Sequence, residues 1–174
     1  MISELSAFDP DKGDEIEFSI LPGENSELFE VRQGNQLHIL TTPDFEKQSN
    51  YVLTVSAKDS AGNEAFQQIN VLIQDLNESP IDLSVSASSF DENIANGSVV
   101  AKLDSSDPDK DDTYTYSLVP GNGSQNNNAF TIDGDQLKIV ESPDFESKSS
   151  YAIRLQTKDS GGLTFERSFT LTVN

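Results

Sequence analysis

Cysteine and tryptophan are absent from the 174 residues, and histidine and methionine each occur once. Without cysteine there are no disulfides, thiol nucleophiles or thiolate metal ligands. A single imidazole, His38, rules out a histidine-dependent triad recurring along the chain, and it makes zinc a poor match. Cations are scarce: Lys plus Arg number 11 against 30 Asp plus Glu, a formal net charge of -19. Such a chain is a poor partner for DNA or RNA, whose affinity comes from cationic contacts to phosphate. It is equally poor at docking on an anionic membrane. No apolar run approaches a membrane span, and no secretory leader follows Met1, so a secreted parent would carry this piece internally. Hydrophobic residues make up 34%, below the ~45–50% usual for globular domains, which suits two thin cores better than one thick core.

What is present is a repeat. Leu37–Ser60 (LHILTTPDFEKQSNYVLTVSAKDS) aligns without a gap on Leu137–Ser160 (LKIVESPDFESKSSYAIRLQTKDS), with 11 of 24 positions identical. Upstream, FDPDKGDEIEFSILPG from Phe8 matches SDPDKDDTYTYSLVPG from Ser106. The period of about 100 residues is that of one β-sandwich domain. Apolar residues alternate as in half-buried strands: Ile16, Phe18 and Ile20 against Tyr114, Tyr116 and Leu118; Tyr51, Leu53, Val55 and Ala57 against Tyr151, Ile153, Leu155 and Thr157. Ile69, Val71 and Ile73 answer to Phe169, Leu171 and Val173, and no stretch keeps a helical period. The fold expected is all-β, tandem Greek-key sandwiches, with repeat 1 over 1–75, a linker over 76–80 and repeat 2 over 81–174. The first copy has no counterpart of Ile81–Val100, so it is expected to lack its opening strands, and the chain reads as cut from a longer array.

The acidic residues recur in the same order in both copies. Asp-Pro-Asp gives Asp9 and Asp11, then Asp107 and Asp109; on its own this is a common turn sequence. Pro-Asp-Phe-Glu gives Asp44 and Glu46, then Asp144 and Glu146, and an extended backbone would aim both acids to one side. The plain alternative is a solvated connector whose Phe45 or Phe145 plugs the core. Lys-Asp-Ser-x-Gly places Asp59 and Asp159 where a strand closes, and Asp75–Pro80 joins the copies. Carboxylates with amide and backbone oxygens are what calcium takes, six to eight at ~2.3–2.6 Å.

Asp91-Glu92-Asn93, the Asp-Pro-Asp, Pro-Asp-Phe-Glu and Lys-Asp-Ser-Gly-Gly motifs and the Asp75-Leu-Asn-Glu-Ser-Pro80 linker together resemble the cadherin repeat, in its bacterial form with a short DxNExP linker. The resemblance covers the second copy almost completely and the first copy without its opening strands. It implies calcium at the joint between repeats, bound by Asp44 and Glu46 of the first copy, Asn77 and Glu78 of the linker, and Asp107, Asp109 and Asp159 of the second. Asp75 is read as closing the preceding strand. Half-sites for further repeats would be Asp9, Asp11 and Asp59 at one end and Glu92, Asp144 and Glu146 at the other. The upstream copy has no counterpart of Glu92, so the joint would hold fewer ions or weaker ones than a complete pair.

The expected role is an extracellular or cell-surface adhesion or spacer module, with calcium stiffening the array, and not an enzyme. Partners implied are calcium, neighbouring repeats of the same chain and a homophilic protein or surface glycan, with no membrane insertion by this segment. The alternative reading is a calcium-dependent carbohydrate- or surface-binding module of a bacterial secreted protein. That reading needs exposed aromatics, whereas Tyr and Phe here are expected mostly on inward stripes. A third reading is self-association through the vacant strand edge of the first copy. His38 is expected as a surface strand residue.

Overall fold

Apolar, β-branched and aromatic side chains at every second position favour strands with one buried face. They pair into two compact units, Met1–Leu76 and Asn77–Asn174, each with its own core. The structure is a computed structural model and describes residues 1–11 and 13–174.

In the first unit the strands are β1 (Ser3–Glu4), β2 (Glu17–Ile20), β3 (Phe29–Arg32), β4 (Gln36–Ile39), β5 (Asn50–Lys58) and β6 (Glu64–Leu72). They form two three-stranded sheets, ordered β1-β4-β3 and β2-β5-β6. Leu5, Phe29, Leu37, Tyr51, Leu53, Val55 and Val71 are buried between them. The Phe29 and Tyr51 rings meet edge to face at 5.5 Å.

The second unit contains β7 (Asp82–Val85), β8 (Ser89–Phe90), β9 (Val99–Ser106), β10 (Thr115–Leu118), β11 (Phe130–Asp133), β12 (Gln136–Ile139), β13 (Ser150–Lys158) and β14 (Thr164–Val173). Its two sheets have four strands each, β11-β12-β9-β7 and β10-β13-β14-β8. Leu83, Leu137, Ile153 and Leu155 are completely buried in the core. Phe90 packs against the Phe130 and Tyr151 rings at 6.2 and 6.0 Å. The duplicated stripes fall on corresponding strands: Tyr51, Leu53 and Val55 on β5, and Ile153 and Leu155 on β13, all face inward.

The units differ where the sequence expectation placed a difference. β8 pairs in parallel with the end of β14, Ser89 opposite Thr172 and Phe90 opposite Val173. Thr172 N–H donates to Ser88 O and Asn174 N–H to Phe90 O, each at 2.9 Å, and Glu92 N–H donates to Asn174 O at 3.2 Å. Among the described residues the first unit has no counterpart of β7 or β8. Val173 is buried in the second unit, whereas Ile73 at the matching place is only half-buried. No helix among the described residues is long and apolar enough to cross a membrane.

Candidate metal centre

β9 delivers the chain to the Asp-Pro-Asp turn. Pro108 fixes its own φ and restricts the residue before it, and the Asp109 N–H donates to Asp107 Oδ1 at 3.1 Å, closing an Asx-type turn. Three residues on stands Asp112, which neither the repeat comparison nor the motif search singled out. Asp107, Asp109 and Asp112 each bring one carboxylate oxygen within 4.8 Å of the others. Asp107 Oδ2, Asp109 Oδ1 and Asp112 Oδ2 are all buried and accept no hydrogen bond. Burial pushes the Asp107 carboxyl above its ordinary value, and the charges of Asp109, Asp112 and Asp159 push it the same way against the hydrogen bond from Asp109 N–H. Buried oxygens without donors are costly, and a bound cation would offset that cost.

Two further segments reach this end of the second unit. Asp159 is 5% exposed. Its Oδ1 accepts from the Gly162 and Leu163 N–H groups at 2.5 and 2.7 Å, and its Oδ2 from Asn77 Nδ2 at 3.1 Å. The Glu78 N–H donates to Asp109 Oδ2 at 2.7 Å. The linker can lie so close because residue 161 is glycine: a Cβ there would sit 1.9 Å from Asn77 Oδ1. The sequence-predicted ligands Asn77, Glu78, Asp107, Asp109 and Asp159 are thus gathered within the second unit. The donor set is oxygen only, carboxylates with an amide and backbone, which fits a hard cation such as calcium and not zinc.

At the other end of the second unit, Glu92, Asp144 and Glu146 bring carboxylate oxygens within 4.8 Å of one another. Here the structure departs from the expected extended backbone. Residues 145–147 form a turn, with Lys148 N–H donating to Asp144 O at 2.9 Å. Asp144 Oδ1 accepts from the Glu146 N–H and its Oδ2 from Ser147 Oγ, bonds that hold its carboxyl below the ordinary value, Ser147 most of all. The acids meet through this turn and through Glu92, not through a shared strand face. Phe145 is 46% exposed and plugs no core. Asp44 behaves alike in the first unit, holding Lys47 by side chain and backbone at 2.7 and 3.0 Å, with Glu46 in the same turn.

The first unit repeats the acidic turn. Asp9, Asp11 and Asp14 have oxygens within 4.8 Å of one another, and Asp11 N–H donates to Asp9 Oδ1. Asp59 is not in that group. Asn63 occupies both of its oxygens, through N–H at 2.8 Å and Nδ2 at 2.7 Å, and keeps its carboxyl below the ordinary value. Asn63 therefore gives Asp59 the amide that the linker's Asn77 gives Asp159. Leu163 replaces Asn63 in the second copy, and Ala61 replaces Gly161 in the first. His38 is half-buried on β4, 3.5 Å from Gln36 Oε1, too far for a firm bond.

The metal-free protein carries a testable signature of the acid cluster. The folded-state pKa of Asp107 lies above its ordinary 3.8, so between the two values the folded chain binds more protons than the unfolded chain. Within that window stability falls as pH rises. In chelator, acidification from neutrality should raise the urea midpoint of wild type relative to Asp107→Asn, whose own profile lacks this contribution. A difference between the two proteins that stays constant with pH would refute it.

No family model matches the chain. Among curated proteins it is 33% identical over 137 residues to mouse cadherin-related family member 2, covering 75% of this chain and 10% of that protein. It is 29% identical over 167 residues to human protocadherin Fat 4, covering 91% of this chain and 3% of that one. The chain spans a small fraction of the length of these relatives, which are cadherins and protocadherins and not enzymes. Among solved structures, human protocadherin-24 EC1-2 superposes with a TM-score of 0.76 at 19% identity, over 99% of this chain and 88% of that one. Mouse cadherin-23 EC22-24 gives 0.75 at 24% identity, over 99% and 58%. These likenesses fix the fold as that of cadherin extracellular domains. With the duplicated motifs and the sequence relatives, they place this chain in the cadherin-like repeat family.

Proposed function

We propose that the chain is an extracellular, calcium-dependent adhesion or spacer module in which calcium ties the two repeats together. The observation that carries this reading is the trio of buried, donorless carboxylate oxygens on Asp107, Asp109 and Asp112, beside linker residues Asn77 and Glu78. Calcium would supply the positive charge these oxygens lack. Asp107, Asp109, Asp159, Asn77 and Glu78 would hold it from the second repeat and linker, and Asp44 and Glu46 would complete its shell from the first. Glu92, Asp144 and Glu146 are proposed as a half-site for one neighbouring repeat and Asp9 and Asp11 for the other, which Asp59 would join only by giving up its bonds to Asn63. The partner of adhesion is proposed to be protein, a like repeat on another chain. The carbohydrate-binding alternative gains no particular support: of the aromatic side chains, Phe8, Phe66 and Phe145 are exposed, and they stand far apart in sequence.

Small-angle scattering tests the mechanical half of the proposal. With millimolar calcium the largest dimension of the particle should grow and its distance distribution sharpen relative to chelator. Superimposable curves in the two conditions would dispose of calcium as a stiffener.

A further inference from the structure

β5 and β13 are longer than the strands β2 and β10 beside them, and the two repeats treat the edge left over differently. In an antiparallel sheet alternate residues turn their N–H and C=O to the same side. β10 pairs with β13 only over Leu155–Lys158, and beyond it the Val119 N–H donates to Arg154 O at 3.0 Å. The loop between Gly121 and Phe130 closes the rest. The Asn126 N–H donates to Ala152 O, and the Ala152 and Arg154 N–H groups donate to Asn126 Oδ1 and Asn127 Oδ1, all at 2.9 Å. Arg154 then lays its guanidinium on Asn122 O and the Glu166 carboxylate.

The first repeat has the same edge without the plug. β2 pairs with β5 only over Val55–Lys58, and the Leu21 N–H donates to Thr54 O at 2.8 Å. Pairing stops there, because the next N–H on that side, Gly23's, donates to Ser26 Oγ. Only five residues separate Gly23 from Phe29, where eight separate Gly121 from Phe130. Among the described residues, the Val52 N–H, Val52 O and Thr54 N–H make no hydrogen bond on this side. They border a hollow of about 390 Å³ walled by Leu21, Gly23, Asn25, Gln48 and Gln68. Strand edges are usually blunted by charge, proline or a bulge, and Asn50–Thr54 carries none of these. The outer face beside it is also apolar: Val52, Phe66 and Leu72 are exposed, at the places of Ala152, Glu166 and Thr172.

We propose that this edge of the first repeat docks an extended, basic segment of a partner protein, which adds to β5 beyond the end of β2. What the second repeat supplies to its own edge defines the chemistry: one N–H donor and two carbonyl oxygens, set along a strand. An extended peptide carries that pattern in its backbone, and strand addition draws its affinity from such main-chain bonds. Among the residues lining the hollow Glu24 alone is charged, and the chain has a net charge of -19. Cationic side chains therefore suit the site, and a second acidic copy of this chain does not. The site lies within the first repeat and includes no proposed calcium ligand, so it stands or fails apart from the calcium reading.

Panning a display library of short random peptides on the full chain, in chelator, tests this with wild type, Val52→Pro and Glu24→Lys. Proline is compatible with an edge position whose N–H faces outward, and melting temperatures are read alongside. Wild type should enrich peptides carrying Lys or Arg, and Val52→Pro should bind them about tenfold or more weakly. Glu24→Lys should weaken them as well, by reversing the charge beside the edge. Methylating alternate backbone nitrogens of a bound peptide leaves the protein untouched and should abolish binding in one of the two registers. This arm decides the matter if Val52→Pro melts below wild type. With peptide bound, the Val52 and Thr54 amide protons should exchange more slowly. Panning that enriches nothing would overturn the proposal. So would peptides that tolerate methylation at every nitrogen, or that bind both variants as tightly as wild type. A wild-type dimer in sedimentation that Val52→Pro dissociates would overturn the occupant, by placing a second copy on the edge.

Discussion

Calcium at about 10 mM is expected to raise the melting temperature of the second repeat by roughly 6–20 °C, and Asp109→Ala to abolish most of that rise. The estimate follows from linkage. Extracellular calcium modules bind at ~10⁻⁴–10⁻³ M, so this concentration stands at about 10 to 100 times the dissociation constant and adds ~1.4–2.7 kcal/mol per site. In a domain of this size each kcal/mol moves the midpoint by about 4–8 °C. The driving force is visible in the acidic turn. Like charges at ~5 Å in an effective dielectric of about 20 repel by around 3 kcal/mol per pair, before any screening by salt. Asp109 is the residue to remove because it faces both ways, with Oδ2 on the Glu78 N–H and Oδ1 buried and unpaired. Magnesium should do less, since it sheds water reluctantly and fits a crowded carboxylate cage poorly. Differential scanning calorimetry decides the matter: identical traces in calcium and in chelator would defeat the functional proposal.

The second large effect concerns Phe90. Phe90→Ala should lower the second repeat's transition by roughly 12 °C or more and leave the first repeat's transition in place. Truncating a buried Phe costs ~3–5 kcal/mol, and Phe90 additionally meets the Phe130 and Tyr151 rings, contacts of ~0.5–1.5 kcal/mol each beyond area burial. The first repeat has no such residue, so wild type should already show its first repeat melting below its second. Phe66→Ala, at a side chain 57% exposed, should move either transition by no more than the ±0.5 kcal/mol usual for surface changes. Peptide-resolved hydrogen exchange along the melt assigns each transition to its repeat. If Phe90→Ala shifts both transitions equally, the two cores are not energetically separate.

The sequence announces its fold because half-buried strands carry a period of two and the repeat shows each stripe twice. Tyr51, Leu53 and Val55 against Ile153 and Leu155 could be placed on one face before any coordinates. Ile81–Val100 has no counterpart within the first copy, and in the second copy it supplies β7 and β8. The site was legible only in part. Asp107, Asp109 and Asp159 stand in recurring motifs, whereas Asp112, with Asp14 as its counterpart in the aligned upstream block, stands outside them. The spacing i, i+2, i+5 has no strand or helix meaning, and only a turn with a residue at positive φ brings such positions together. The Pro-Asp-Phe-Glu segment failed for the opposite reason. Two acids one apart suggested a strand face, but Asp44 and Asp144 bind the backbone N–H groups just ahead and curl the chain. The Asn63–Asp59 pairing depends on a side-chain bond that no periodicity predicts.

The short β8 strand has one more consequence. It runs parallel to the last strand of the second repeat, held by backbone bonds from Thr172, Asn174 and Glu92. If the ends of that repeat are pulled apart, β8 and β14 must slide past each other along their length, and these bonds fail together and not one at a time. In the first repeat β6 has only β5 beside it among the described residues, so no such clamp resists the pull.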